Sequence, residues 1–261
     1  MDGKKIQLII PSDRRKNIEE LQTAMDIFSG KSKSGLKISS YDILDIEGNN
    51  LDPDYSILIE SIKIVDDSET YLLICKPEVT SSYDPDVIME VIDDVIDDEE
   101  NKFDMFYLSK WMDRCDLFTN YREKGPGIHI VDTISPQGFH CILFSPEGIR
   151  KILKHYDPKV NPIKNGFCRL LNMRIASGKT DETLRAITSD PNLIQYDISK
   201  NPSQVDKLKE CRDPEIMRNR KSTDKEQGLG LLWVIIVFII IFILICAFVA
   251  YRNSCARYIN I

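Results

Sequence analysis

The sequence of 261 residues lacks the short motifs that usually mark a nucleotide-binding or catalytic protein. It has no GxGxxG or GxxxxGK[ST] phosphate loop and no GxSxG nucleophile turn. Its three histidines are scattered and its seven cysteines include no CxxC pair, which excludes the common zinc-site spacings. Basic residues are outnumbered by acidic ones, 34 to 41, so the chain also lacks the basic surface that broad nucleic-acid binding requires.

The apolar residues are unevenly distributed, and one long uncharged run lies near the C-terminal end. Residues 231–250 contain no charged residue, no proline and no glycine. As a helix, such a run reaches about 30 Å, which is the thickness of the hydrocarbon core of a bilayer. Trp233 and Tyr251 lie near its two ends, where interfacial aromatic residues are common. We therefore predict a transmembrane helix over 231–251, with the lipid bilayer as a partner.

The basic residues around this run predict its orientation. Five precede it and two follow it: Arg212, Arg218, Arg220, Lys221 and Lys225, then Arg252 and Arg257. The positive-inside rule places the side with more basic residues in the cytosol. The first residues show no signal-peptide pattern. We expect a tail-anchored, single-pass membrane protein with a cytosolic N-terminal domain, and the reverse topology, with this domain in a lumen, is the alternative.

The part before the run divides into a folded domain, 1–200, and a polar juxtamembrane linker, 201–230; a short tail, 252–261, ends the chain. Apolar runs predict strands at 5–10, 36–46 (with a loop), 70–75, 103–108, 128–131 and 139–144, and helical stripes predict helices at 18–28, 55–65, 85–100 and after Ser145. This alternation predicts an α/β domain with a mainly parallel sheet. Such sheets bind ligands beyond the carboxyl ends of their strands, here in the loops after Ile10, Cys75 and Leu108.

The predicted helix over 85–100 carries a dense acidic face opposite its apolar one. A metal site formed by Asp93, Asp94, Asp97 and Asp98 is one interpretation, and a solvated acidic face is the preferred one. Acidic helix 86–100 is also the surface through which we expect a protein partner to bind.

Four segments in order carry a resemblance to a known family. They are Ile6-Gln-Leu-Ile-Ile-Pro-Ser-Asp-Arg-Arg-Lys-Asn-Ile-Glu-Glu-Leu21, Tyr71-Leu-Leu-Ile-Cys-Lys-Pro-Glu-Val79, Phe103-Asp-Met-Phe-Tyr-Leu-Ser109 and Gly138-Phe-His-Cys-Ile-Leu-Phe-Ser-Pro-Glu-Gly-Ile149. Together they resemble glycosyltransferase family 25, which includes lipopolysaccharide-synthesis enzymes, procollagen galactosyltransferases and relatives in large DNA viruses. The resemblance implies a sheet of the nucleotide-diphosphosugar transferase type, and it is compatible with a viral origin.

The resemblance also implies a donor site after the second predicted strand of the family. Arg14, Arg15 and Lys76 would contact the phosphates of a nucleotide sugar, and Glu78 would help to hold a divalent cation, Mn²⁺ or Mg²⁺, if the protein is active. The family has further acids here, whereas this chain has Lys76 and Pro77, and segment 161–165 lacks its acid. Two functions therefore stay open: a membrane-anchored sugar transferase, and a catalytically inactive, tail-anchored interaction or structural protein.

Overall fold

The computed structural model of the chain describes residues 4–12, 18–45, 53–65, 69–110, 113–134, 136–155 and 183–196. Within them the strands are β1 (Ile6–Ser12), β2 (Ile38–Asp45), β3 (Tyr71–Cys75), β4 (Val79–Thr80), β5 (Met105–Ser109), β6 (Thr119–Gly125), β7 (Ile128–Thr133), β8 (Cys141–Phe144), β9 (Ala186–Asp190) and β10 (Gln195–Tyr196). The α-helices are α1 (Ile18–Ile27), α2 (Pro53–Ile64), α3 (Pro85–Ile96) and α4 (Pro146–His155).

In the described part of the chain, one large sheet has the strand order β2-β1-β3-β8-β5-β9-β7-β6. β1 pairs in parallel with β2 and β3, and β5 pairs in parallel with β9. β7 and β8 are antiparallel to their neighbours, so the other six strands of this sheet share one direction. The prediction of a mainly parallel α/β sheet is thus confirmed for strand direction, although the sheet is mixed in its pairing. β4 and β10 form a small separate antiparallel pair.

Helices cover both faces of the large sheet. On one face, Leu8 packs in a cluster with Ile92 of α3 and with residues of α1. On the other face, Ile9 packs in a cluster with Leu58 of α2 and Ile152 of α4. Successive strand residues point to opposite faces, which explains why Leu8 and Ile9 belong to different clusters. Because β1–α1–β2 and β2–α2–β3 proceed in opposite directions along the sheet, right-handed crossovers place α1 and α2 on opposite faces.

Helix α4 begins as its sequence predicts. The Ser145 hydroxyl accepts a hydrogen bond from the Gly148 backbone N–H at 3.0 Å, and Pro146 is the first helical residue. Gly148 is required here by a close approach, since a Cβ atom at this position would lie 2.1 Å from the Asp104 carbonyl oxygen. The Ser145 N–H also donates to that oxygen at 3.1 Å. The segment that most resembles the family therefore docks α4 directly on the start of β5.

Asp104 is a structural residue of this junction. Its carboxylate is 3% exposed and accepts hydrogen bonds from Lys151 Nζ at 2.8 and 2.9 Å and from the Arg185 N–H at 2.8 Å. One buried acid thus joins the starts of β5 and β9 to α4. Its place at the amino end of β5 puts it at the edge of the sheet opposite the loops predicted to bind ligand.

Helix α3 has the apolar face that its spacing predicts, and Asp84 caps it by accepting a hydrogen bond from the Asp86 N–H at 2.9 Å. Most acids of the predicted acidic face have partners within the domain. The partners are the Lys31 backbone N–H for Asp86, the Lys33 ammonium for Glu90, the Ser34 hydroxyl for Asp93, the Lys4 ammonium for Asp97, and the Arg122 and Lys124 side chains for Asp98. The prediction of a solvated acidic face is thus wrong at Asp93, because this residue is 7% exposed. No group of three metal-ligating side chains that could hold an ion forms among the described residues.

Two strands of the large sheet were not evident from sequence. β6 is a polar edge strand, Thr-Asn-Tyr-Arg-Glu-Lys-Gly, with little of the apolar character expected of a strand. β9 is an inner strand, but it carries Thr188 and Ser189, both fully buried, where an apolar run would be expected. The Thr188 hydroxyl donates to the Tyr107 carbonyl oxygen at 3.1 Å. Hydrogen bonding therefore makes burial acceptable for residues that sequence reasoning assigns to loops.

Several predictions concern residues outside those that the structure describes. They are segment 161–165, the linker 201–230, the transmembrane helix 231–251 and the tail 252–261. Among the helices that the structure describes within residues 4–196, none is long and apolar enough to cross a membrane.

Candidate functional site

The strand order creates a topological switch point between β1 and β3. From β1 the chain moves outward to β2, and from β2 it crosses back over β1 to β3. The loops that leave β1 and β3 lead to α1 and, through β4, to α3, which pack in one cluster on the same face of the sheet. Both loops begin at the carboxyl edge, where open α/β sheets usually bind ligands, and the edge between β1 and β3 is called the crevice. Lys76 is the first residue after β3, and residues 13–17 follow β1 in the sequence.

The ammonium group of Lys76 forms an ion pair at this edge. Its Nζ lies 2.8 Å from Oδ1 of Asp54, in the first turn of α2, and both side chains are 25% exposed. The same Nζ lies 5.9 Å from the centre of the Phe139 ring. This position leaves Lys76 accessible from the crevice while a carboxylate neutralises its charge.

An aromatic pair lies beside Lys76. The Lys76 N–H donates to the His140 carbonyl oxygen at 2.7 Å, which continues the pairing of β3 with β8 by one residue. The His140 ring is 4.6 Å from the ring of Tyr196 in β10, measured between centroids. Burial, reinforced by the nearby charge of Lys76, lowers the pKa of His140 to about 4. His140 is therefore a neutral imidazole near pH 7, and it adds no positive charge to this edge.

A buried lysine fixes the neighbouring loop after β9. Lys110, which follows β5, has a side chain with 0% exposure, and its Nζ donates to the Ser189 carbonyl oxygen at 2.7 Å. The ammonium also lies 3.5 Å from Asp190 Oδ1 and 5.4 Å from the centre of the Phe118 ring. The Asn192 side chain accepts from the Lys110 N–H and donates to its carbonyl oxygen, at 3.2 and 2.8 Å. These contacts hold the loop after β9 against the carboxyl end of β5, which β8 separates from β3.

The described residues at this edge do not fit a divalent cation. The resemblance places metal ligands at positions 76–78, and there Lys76 holds an ammonium group 2.8 Å from Asp54. That cation would repel a metal ion bound to the same carboxylate. Glu78, half-buried between β3 and β4, is the acid of the three positions.

Comparisons with known proteins find similarity to solved structures at TM-scores below 0.5. No protein-family model and no curated protein matches the chain. Its structure is similar to that of a glycosyltransferase involved in the glycosylation of the major capsid of PBCV-1, with a TM-score of 0.38, 11% identity, and coverage of 73% of this chain and 92% of that one. It is also similar to a mannose-1-phosphate geranyltransferase from Thermus thermophilus, with a TM-score of 0.36, 8% identity and coverage of 71% and 73%. The glycosyltransferase GlyE of Streptococcus pneumoniae has a TM-score of 0.35, 10% identity and coverage of 76% and 56%.

At TM-scores of 0.35–0.38 and identities of 8–11%, these likenesses assign neither a family nor a function to the chain. Family 25 membership, a donor and a membrane anchor stay proposals.

The structure describes some of the predicted site residues and not others. Lys76 is the first residue after β3, and Glu78 lies two residues further along the connection to β4. Arg14 and Arg15 lie outside the described residues. The structure thus describes two of the four predicted side chains at the carboxyl edge of the sheet, and their roles stay predictions.

Sequence reasoning missed three polar residues of this edge: Asp54, Lys110 and Asn192. Asp54 and Lys76 are 22 positions apart in sequence, and Asn192 and Lys110 are 82 apart, so no local pattern connects them. A lysine directly after strand β5, which ends at Ser109, was the one available signal for Lys110, since ligands and their supports lie at the edge that follows a buried strand.

Proposed function

We propose that this chain is a membrane-anchored sugar transferase whose domain binds the diphosphate of a nucleotide sugar in the crevice between β1 and β3. The observation that carries the proposal is the position of Lys76, whose ammonium group lies at the switch point and is partly exposed. Anion sites of open α/β sheets lie at such crevices, where loop groups and helix ends converge.

The charge of Lys76 suits a diphosphate better than a metal. An ammonium group donates up to three hydrogen bonds, and a charge-assisted hydrogen bond to a phosphate oxygen is roughly twice as strong as a neutral one. Asp54 holds the ammonium in place without burying it, because both side chains are 25% exposed. A donor diphosphate would displace Asp54 or share the lysine with it. Arg14 and Arg15, which follow β1 in the sequence, would add further positive charge for the diphosphate.

This arrangement can assist a sugar transfer electrostatically. An acceptor hydroxyl oxygen forms a bond to the anomeric carbon, and the bond from that carbon to the diphosphate oxygen breaks. The nucleoside diphosphate leaves with the electron pair, and the hydroxyl proton passes to water or to a base. Lys76 would stabilise the negative charge that develops on the leaving group, a role that a metal ion fills elsewhere.

Donor binding by the full chain tests the proposal. The chain, purified in detergent, is titrated calorimetrically with UDP, UDP-glucose, UDP-galactose and GDP-mannose, with Mn²⁺ and with EDTA. We expect at least one nucleotide to bind in EDTA, and Lys76→Ala to weaken this binding by roughly 10- to 100-fold, the value of a charged hydrogen bond. Release of the nucleoside diphosphate with an acceptor panel then measures transfer.

Lys63→Ala is the matched control. Lys63 is another lysine in an ion pair, 2.6 Å from Glu60 on the exposed side of α2. Its loss should leave nucleotide binding unchanged. Binding that requires Mn²⁺ and is indifferent to Lys76→Ala would contradict the proposed role of Lys76, and the absence of binding across the panel would refute the transferase.

The second candidate function is a catalytically inactive, tail-anchored interaction protein. The ion pair of Lys76 with Asp54 favours it, because the cation is already neutralised within the domain. In this case acidic helix 86–100 would be the partner surface, and Asp94, which is exposed, is the acid of this face best placed to contribute. Two results together would support this function over the first. One stable partner would co-purify with the chain and be lost in Asp94→Lys, and no nucleotide would bind.

Membrane anchoring by residues 231–251 is part of the first proposal. The basic flanks favour a cytosolic domain, whereas one described residue favours the lumen: Cys115 is disulfide-bonded, and disulfides persist mainly in oxidising compartments. Alkaline carbonate extraction of membranes from cells that express the full chain tests anchoring, and the chain should stay in the pellet. Protease protection of sealed microsomes separates the orientations, because a cytosolic domain is digested and a lumenal one survives.

A further inference from the structure

A second cleft lies at the opposite edge of the sheet from Lys76. It has a volume of about 500 Å³ and lies among the amino ends of β3, β5 and β9, the end of α3 and the start of α4. The proposed sugar transfer uses none of its residues. The volume is within the range of pockets that bind small molecules.

The charged residues of this cleft balance. Five are basic, Lys4, Lys102, Arg150, Lys151 and Arg185, and five are acidic, Glu69, Asp98, Glu99, Asp104 and Glu147. Several of them form ion pairs with each other, such as Lys151 with Asp104 at 2.8 Å and Arg150 with Glu147 at 2.9 Å. A ligand with a large net charge would therefore gain no net attraction here.

Three polar groups of the lining are available to a ligand. Within the described residues, the Tyr71 hydroxyl, the Glu99 carboxylate and the Lys102 ammonium make no hydrogen bond and no ion pair. They provide one group that both donates and accepts, one acceptor and one donor. Burial raises the pKa of Tyr71, so its hydroxyl keeps its proton near pH 7.

Tyr71 also contributes to an aromatic wall. Its ring lies 6.2 Å from the ring of Phe103, between centroids, with the planes at 40°. Val95 and Ile96 extend this apolar surface at the end of α3. The cleft thus combines an apolar lining, which includes the tilted rings of Tyr71 and Phe103, with hydrogen-bond donors and acceptors, and its net charge is zero.

We propose that this cleft binds a neutral carbohydrate. A sugar ring has an apolar face of C–H groups that packs on an aromatic wall, and its hydroxyl groups both donate and accept hydrogen bonds. It therefore satisfies Tyr71, Glu99 and Lys102 together without adding charge to a balanced site. This binding is independent of the donor site, because the two lie at opposite edges of the sheet.

The test uses the full chain in lauryldimethylamine oxide, since detergents with sugar headgroups would compete. Saturation-transfer NMR is recorded with maltotriose, chitotriose and lactose as neutral probes, and with a heparin tetrasaccharide and a chitosan trimer as charged ones. We expect a neutral probe to bind and the charged probes to bind more weakly. Tyr71→Phe keeps the ring and removes one hydrogen bond, so it should weaken binding about fivefold.

Lys102→Ala should have an effect similar to that of Tyr71→Phe. Lys33→Ala, which removes an exposed lysine paired with Glu90 on α3, should have none. Binding should persist in Lys76→Ala and in saturating UDP, which distinguishes this cleft from the donor site. Absence of binding by all three neutral probes would overturn the proposal, as would binding that both Tyr71→Phe and Lys102→Ala leave unchanged.

Discussion

Lys76 and Asp54 form an ion pair across the carboxyl edge of the sheet, with Nζ 2.8 Å from Oδ1 and both side chains 25% exposed. The pair joins the end of β3 to the first turn of α2. It places a cation at the switch point between β1 and β3, and it also holds a competitor for that cation. Whether the site binds an anion thus depends on how readily Asp54 releases Lys76.

Asp54→Asn should strengthen nucleotide binding at the Lys76 crevice. The carboxylate competes with the diphosphate for the ammonium group, and an amide competes less well because it carries no charge. Partly exposed ion pairs contribute up to about 1 kcal/mol, so we expect a gain in affinity of roughly two- to fivefold. Calorimetric titration with UDP measures it. Glu60→Gln, which breaks the exposed pair with Lys63, is the control, and equal gains in both variants would show that the effect is not local.

Gly148→Ala should destabilise the domain. The added Cβ atom would lie 2.1 Å from the Asp104 carbonyl oxygen, and this contact is with backbone, so α4 must move away from β5. Overpacking of this kind costs typically about 1–3 kcal/mol. Chemical denaturation of the full chain in detergent measures the loss. Gly125→Ala is the matched control, because its Cβ atom would meet side-chain atoms of Ile128 at 3.5 and 3.9 Å, ordinary contact distances. Equal stability of the two variants would contradict the close docking of α4.

Asp104→Asn should also reduce the free energy of unfolding. The change removes the negative charge opposite Lys151 and leaves a half-buried ammonium group with a neutral partner, while the Arg185 N–H can still be satisfied. We expect a loss of about 1–3 kcal/mol, typical of a hydrogen bond to a charged group. Glu147→Gln breaks the exposed pair with Arg150 and should cost less than about 1 kcal/mol. A double-mutant cycle with Lys151→Met separates the pair from its surroundings, and a coupling near zero would show that the contact contributes nothing.

His140 should make the domain sensitive to mild acid. Its pKa is about 4 in the folded protein, against an ordinary value of 6.5, because burial and the charge of Lys76 disfavour the imidazolium form. The unfolded chain therefore binds more protons between these values, and the free energy of unfolding should decrease as the pH falls from 6.5 to 4. The contribution is on the order of 2–3 kcal/mol, present above pH 6.5 and lost by about pH 4.

Urea denaturation at several pH values measures this dependence. His140→Phe keeps a ring against Tyr196. Its free energy of unfolding should decrease less between pH 6.5 and pH 4 than that of the parent chain. His129→Phe, at a half-buried histidine of β7, should show the same pH dependence of stability as the parent chain. If the free energy of unfolding decreases equally in the parent chain and in His140→Phe, groups other than His140 cause the decrease.

The elements with regular apolar spacing were predictable, and those without it were not. The helix that begins after Ser145 could be located because serine, proline and glutamate occur there in the order that starts a helix. β6 and β9 were missed because one is polar and exposed and the other buries hydroxyl groups that bond to neighbouring strands. The direction of β8, antiparallel between β3 and β5, could not be inferred, since an apolar run is the same in either direction.

The sequence by itself determined the α/β class, the loops at the carboxyl edge and the presence of lysine where the family that it resembles has an acid. Only the tertiary structure decided which groups meet there. It paired Lys76 with Asp54, made Asp104 a structural residue and engaged Glu90 and Asp93 of α3 with Lys33 and Ser34. The physical reason is the sequence distance over which each signal acts. Spacing along the chain shows which face of an element is apolar. Ion pairs and hydrogen bonds join residues far apart in sequence, and only folding brings these together.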